Sequence, residues 1–171
     1  VKGNAKELLP CLRVALGDTK SDPWFRFDGS NLLVSLDPSQ QSKAEQVRQY
    51  TAVDLDDVHP GFWVGVLAQR GAEGFDVSEA GARWLASPKE YSLPQHGGYK
   101  VSSLLGAFFI YGSMDEGQAT PALLRIATDA HHPGRELALL ILLFQATPES
   151  FRALKIANKV ERGDKEQSAM L

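Results

Sequence analysis

Phe25–Leu36 reads FRFDGSNLLVSL, and this stretch sets the expected fold class of the N-terminal half. Two short apolar runs, FRF and LLVSL, flank Asp28-Gly29-Ser30-Asn31, and Asp-Gly chemistry tolerates the positive φ of a tight turn. The stretch therefore predicts two short strands joined at Asp28–Asn31. Val47 to Val58 and Gly61 to Arg70 extend the pattern as two further strand candidates, separated by His59-Pro60. The second holds Phe62, Trp63, Val64 and Val66, residue types that favour pleated, half-buried surfaces. Upstream, Leu8, Leu9, Leu12 and Leu16 recur at helical spacing before Gly17, which predicts a short amphipathic helix over 5–16 with a glycine stop.

From Lys100 the period changes. Val101, Leu104, Leu105, Phe108 and Phe109 recur at three- and four-residue steps, predicting a helix that ends near Gly112. Pro121 to Ala130 predicts another, and Gly134 to about Glu161 the longest, RELALLILLFQATPESFRALKIANKVE. Its first half is apolar on all faces, so it is expected to be enclosed by other elements. Strands first and helices afterwards indicate α+β. The expected organisation is a single domain over 1–171, sheet-rich over about 1–95 and helical over about 100–162.

Composition narrows the function classes. The chain has 171 residues, 43% of them hydrophobic, enough for a core of its own. Its net charge of -3 disfavours a generic polyanion binder, because the summed field repels phosphate. One cysteine, Cys11, excludes an intrachain disulfide framework and a cysteine-based zinc site. His59, His96, His131 and His132 lack metal-ligand spacing, so no metal and no cofactor is expected. His131-His132-Pro133-Gly134 reads as a loop between helices. The longest apolar run, Leu137 to Phe144, is too short to cross a bilayer. VKGNAKELL shows no signal-peptide stretch, and the compartment stays open.

The interruption in the long helix draws the chemistry. Pro148 lacks the N–H that a continuous helix needs, so the helix must kink or restart. If it restarts, Thr147 caps it and Pro148 takes the first helical position. Glu149 then lies beside unpaired backbone N–H groups, which favour an ionised carboxylate. Glu149 and Arg152, three apart, share a face. On a solvated helix such a pair is worth only about 0.2–0.5 kcal/mol. Its position after an apolar run makes it a candidate site, since charges near buried surface are costly unless used or paired. Trp24 and Trp84 read as packing residues. Lys155, Lys159, Arg162 and Lys165 read as a solvated helix end that can also offer local positive charge, though Glu161, Asp164 and Glu166 are interspersed among them and offset it.

On these residues the chain resembles the ribosome-inactivating proteins, a family of RNA N-glycosidases. RELALLILLFQATPESFRALKI is similar to the family's apolar helix leading into a Glu-x-x-Arg pair, here Glu149-Ser150-Phe151-Arg152. Gly97-Gly98-Tyr99 resembles its Gly-Gly-Asn-Tyr segment, and Gly61-Phe62-Trp63-Val64-Gly65-Val66 its Tyr-Val-Val-Gly-Tyr strand. The resemblance implies an N-terminal mixed β-sheet followed by a mainly helical half with a long, kinked, buried helix. It implies depurination of large-subunit rRNA in the ribosome, with adenine as product and inhibited translation. Glu149 would stabilise the oxocarbenium-like ribose, Arg152 would support the departing adenine, and Phe62 and Tyr99 would stack on the base. Two other readings stand beside it. One is a non-catalytic homologue of that fold serving binding or storage. The other is an unrelated helical interaction domain in which Glu-x-x-Arg arises by chance.

Overall fold

The computed structural model describes residues 5–52, 60–86, 90–93 and 99–168. Its elements run α1 (Ala5–Gly17), α2 (Pro23–Leu36), α3 (Gln40–Ala52), α4 (Pro60–Ala72), α5 (Ser78–Ala86), β1 (Glu90–Leu93), β2 (Tyr99–Ser102), α6 (Ser103–Ser113), α7 (Glu116–Thr128), α8 (Arg135–Gln145) and α9 (Pro148–Ser168). Strand structure among the described residues is confined to the antiparallel β1–β2 hairpin, in which Glu90 faces Ser102 and Leu93 faces Tyr99. The expected α+β class, with its N-terminal sheet, is therefore overturned by a mainly helical fold. The resemblance to ribosome-inactivating proteins, which requires that sheet, falls with it.

The reason is visible in α2. Asp22 sits at its N-cap and accepts a hydrogen bond from Phe25 N at 3.1 Å, with Pro23 in the first turn. That start overrides the turn chemistry of Asp28-Gly29. Gly29 lies inside the helix, where a Cβ would stand 3.1 Å from Leu16 Cδ2 and 3.4 Å from Leu12 Cδ1. The glycine thus lets α1 and α2 approach closely, and no tight turn forms. Arg26, Phe27, Ser30 and Leu33 are buried at helical spacing.

The other strand candidates are helical too. Gly61–Arg70 falls in α4, where Trp63, Leu67 and Arg70 are buried at steps of four and three. Val47–Ala52 belongs to α3, and Val53–His59 lies outside the described residues. The helices expected over 5–16 and up to Gly112 are present as α1 and α6. Val101 is the exception, lying in β2, and α7 starts earlier than expected, at Glu116.

The chain divides into two compact units, 1–63 and 64–171. In the first, α1 packs on α2 and α2 on α3. Much of what α3 buries is polar: Ser42, Gln46 and Gln49 alongside Tyr50. Each finds a partner, as buried polar groups must. Arg26 Nε donates to Gln49 Oε1 at 2.8 Å, and Gln49 Nε2 donates to the Leu16 carbonyl at 2.7 Å. Gln46 Nε2 and the Tyr50 hydroxyl both donate to Asn31 Oδ1 at 2.7 Å. Phe27 stacks on Tyr50 with ring centroids 4.3 Å apart, and Trp63 Nε1 donates to the Tyr50 carbonyl at 2.8 Å.

At the α2–α3 turn, Ser42 Oγ donates to Asp37 Oδ2 at 2.7 Å and Arg13 Nη2 to the same oxygen at 2.6 Å. The Ser42 and Ser39 hydroxyls hold the Asp37 carboxyl below its ordinary value, with Arg13 adding to the effect. A depressed carboxylate contributes stability above its unfolded pKa and loses it as pH falls through the lower folded value. Ser42→Ala, which removes the largest cause, should flatten the pH dependence of unfolding free energy in that acid window. Denaturant titrations of both proteins across it would show the difference, and parallel curves would contradict it.

The second unit packs α5 against α6 and gathers α7, α8 and α9 together. Trp84, Leu85, Ile110, Leu123, Ile141 and Leu142 form its fully buried centre. Gly106 is part of that packing, because a Cβ there would stand 2.4 Å from Trp84 Cε3 and Cζ3. Gly106→Ala should therefore cost about 1–3 kcal/mol, the range for overpacking a filled core. Chemical denaturation against the parent protein measures it, and an unchanged midpoint would show that the ring can move aside.

Candidate functional site

The expected interruption at Pro148 is present as a complete break between α8 and α9. Ala146 ends α8 in the left-handed conformation, φ 52 and ψ 30. Thr147 then caps α9, as its sequence position predicts. Thr147 Oγ1 accepts from Ser150 N at 3.1 Å, and Ser150 Oγ accepts in turn from Thr147 N at 3.0 Å. This reciprocal pairing satisfies donors that a helix start leaves open, with serine at the position where a capping box has Glu or Gln. The Thr147 hydroxyl also donates to Glu116 Oε1, tying the break to the start of α7.

Glu149 lies in the first turn of α9, and Arg152 Nη1 donates to its Oε1 at 3.1 Å. The two residues are thus brought together, but on an open face: their side chains are 47% and 72% exposed. Phe62 stands near the start of α4, on a helix and not the expected strand. Tyr99 opens β2 opposite Leu93. The side chains of both, and Gly97-Gly98, lie outside the described residues. Phe62 belongs to the first unit and Tyr99, Glu149 and Arg152 to the second. The charged pair is the part of the expected site that the structure assembles.

The expectation of an enclosed helix over 134–145 is corrected by α8. Ala138, Ile141 and Leu142 face inward, whereas Leu143 is 53% and Phe144 64% exposed. Uniform apolarity here means two apolar faces, of which one is left open. On one flank, Phe144 meets Phe108 of α6 edge to face, with centroids 5.1 Å apart, beside an apolar depression of about 300 Å³. On the other, α8 and α9 enclose a groove of about 480 Å³ with Leu139, Leu140, Leu143 and Leu154 along it. Arg135, Glu136 and Asn158 mark its polar end.

The groove's α9 side has an ordered edge. Residues four apart share a helix face, so Leu154 and Asn158 form one row, bounded on the inner side by buried Ala153 and Ala157. The next row outward is Phe151, Lys155 and Lys159, all exposed. Neither lysine has a carboxylate partner among the described residues. Sequence reasoning missed this site because it took a run of apolar residues as evidence of burial. The available signal was that α9 is too polar to cover two faces of α8.

A third concavity, about 570 Å³, lies beside α5 and α7 and holds Asp76, Glu79, Arg125 and His132. Tyr111 lines it too, but its hydroxyl donates to the Ser78 carbonyl at 3.0 Å, and burial pushes its pKa well above the ordinary value. It is therefore a neutral structural donor. Among the described residues no cluster of His, Cys, Asp or Glu could hold a metal ion, and no helix is long and apolar enough to cross a membrane. No protein family, no curated protein and no solved structure matches the chain.

The cap and the ion pair should separate experimentally. Thr147→Ala removes a cap and the tie to Glu116, at an expected cost of about 1 kcal/mol. Glu149→Gln removes an exposed i, i+3 pair worth about 0.2–0.5 kcal/mol. Unfolding free energies should rank Thr147→Ala as the more damaging. The reverse order would mean that the pair, and not the cap, holds the start of α9.

Proposed function

We propose that this chain is a helical protein-interaction module whose docking face is the open apolar side of α8 with the α8–α9 groove. The observation that carries the reading is the exposure of Leu143 and Phe144 on a helix whose other face is already packed. Contiguous exposed apolar surface with polar residues at its edge marks interaction sites in folded proteins. This reading corresponds to the unrelated helical interaction domain among the sequence-based expectations. Depurination of ribosomal RNA loses the fold on which that expectation stood. Glu149 and Arg152 pair with each other on an open surface, a common stabilising arrangement on solvated helices.

Two measurements test the proposal together. A photo-crosslinking residue at Leu143, in the cells that make the protein, should give discrete crosslinked species that the same residue at Ala130, exposed in the α7–α8 turn, does not give. Purified ribosomes incubated with the protein and then treated with aniline should release no new rRNA fragment. Equal crosslinking at both positions would remove the docking face. A single released fragment would establish N-glycosidase activity against this reading.

A further inference from the structure

Resting on that docking face, we infer that its occupant is an acidic amphipathic helix of a partner protein. Shape is the first argument. The α8–α9 groove is a trough between two helices, and α8 spans 11 residues, a length that accommodates about three turns of a third helix. Its apolar side is Leu139, Leu143 and Leu154, which suits a helix presenting apolar residues at i, i+3 or i+4, and i+7. Charge is the second argument. The outer row on α9 puts Lys155 and Lys159 along the groove beside Phe151. At the far end Glu136 is offset by Arg135, whose Nε donates to the Ala127 carbonyl at 3.0 Å. Glu149 is engaged by Arg152. Among the described residues, the row of α9 just outside the groove therefore carries net positive charge, and a helix with Glu or Asp flanking its apolar stripe complements it.

The alternatives fit less well. A second copy of this chain would bring the same cationic rim against itself, since a two-fold contact pairs one patch with its own image. An anionic membrane would satisfy Lys155 and Lys159 but would leave a concave apolar trough unfilled, because a membrane binder buries a convex apolar face.

The test uses the full chain and three synthetic peptides of about 14 residues, long enough to span the groove as a helix. All carry leucine at i, i+3, i+7 and i+10 on an alanine background and differ only at the flanking positions, which are Glu, Gln or Lys. Fluorescence anisotropy reads binding, and cross-peaks of α8 and α9 residues in NMR spectra locate it. The Glu peptide should bind more tightly than the Gln peptide by about tenfold, the scale of two exposed charge pairs, and the Lys peptide most weakly. The Glu-over-Gln preference should shrink as salt rises. Lys155→Glu with Lys159→Glu, both exposed positions, should reverse the order of the Glu and Lys peptides while leaving Tm unchanged.

Equal binding of the Glu and Gln peptides at this groove would overturn the acidic assignment and leave the docking face standing. Failure of all three peptides, with Leu143 crosslinking intact, would overturn the helical occupant. Failure of both would overturn the docking face itself. A concentration-dependent dimer broken by Leu143→Glu would assign the groove to a second copy. Lysine-dependent binding to phosphatidylserine vesicles, with none to the peptides, would assign it to a membrane. Either result sinks the inference.

Discussion

Proline has no backbone N–H to give, and at position 148 that single missing donor shapes the second unit of the molecule. A continuous helix from Arg135 to Ser168 would need the Pro148 N–H to bond four residues back, and the ring would also clash with the carbonyl there. The chain instead turns at Ala146, in a left-handed conformation that costs a non-glycine residue about 1–2 kcal/mol. It restarts at once, because Thr147 and Ser150 exchange hydrogen bonds and Thr147 reaches Glu116. The reversal lets α9 pack on both α7 and α8. Without the break there would be no groove between α8 and α9, since one straight rod cannot form both walls.

The first unit depends on a different device. Its α3 has little apolar material to bury, and Ser42, Gln46 and Gln49 go inside because α1 and α2 supply matching donors and acceptors. Burying such groups unpaired would cost more than the packing gains. Once paired, they favour one register, since sliding α3 by a residue would leave each amide facing the wrong partner. This is why a helix with few apolar residues holds its place. The Glu45 carboxylate is part of the same arrangement: burial raises its pKa, but hydrogen bonds from Arg48 and Gln49 outweigh that and hold it low.

How legible this was depended on which signal dominated each segment. Capping and glycine stops read correctly: α1 ends at Gly17, and Thr147-Pro148 starts α9 as the sequence predicts. Period and propensity misled in the N-terminal half. Phe62, Trp63, Val64 and Val66 have strand propensity, yet Trp63, Leu67 and Arg70 are buried at helical spacing. Asp28-Gly29 carries a turn signature, yet the cap at Asp22-Pro23 six residues earlier decides the conformation. The signal for α2 was present as that Asp-Pro start, and it outweighs a central glycine because helix initiation is the costly step. Arg26 and Gln49 meet across 23 positions, a long-range contact that no local pattern reveals.

The break at Pro148 and the Glu149–Arg152 pair were legible in the sequence, and the open apolar face of α8 was not. Charge after an apolar run draws attention to Glu149 and Arg152, which line neither the α8–α9 groove nor the open face at Leu143 and Phe144. Inferring an enclosed helix from uniform apolarity treats apolar residues as evidence of contact within the same chain. Burial, however, needs a covering surface of equal extent, and among its described residues α9 turns only small ones, such as Ala153 and Ala157, fully inward, while Phe151, Lys155, Ile156 and Lys159 stay exposed. An α8 that is apolar on both faces and covered on one has more hydrophobic surface than its own unit uses. Each large apolar side chain left in water forgoes about 1.5–3 kcal/mol of burial. That unused burial at Leu143 and Phe144, set beside two lysines without carboxylate partners among the described residues, is the physical basis for reading this face as a place where another helix completes the packing.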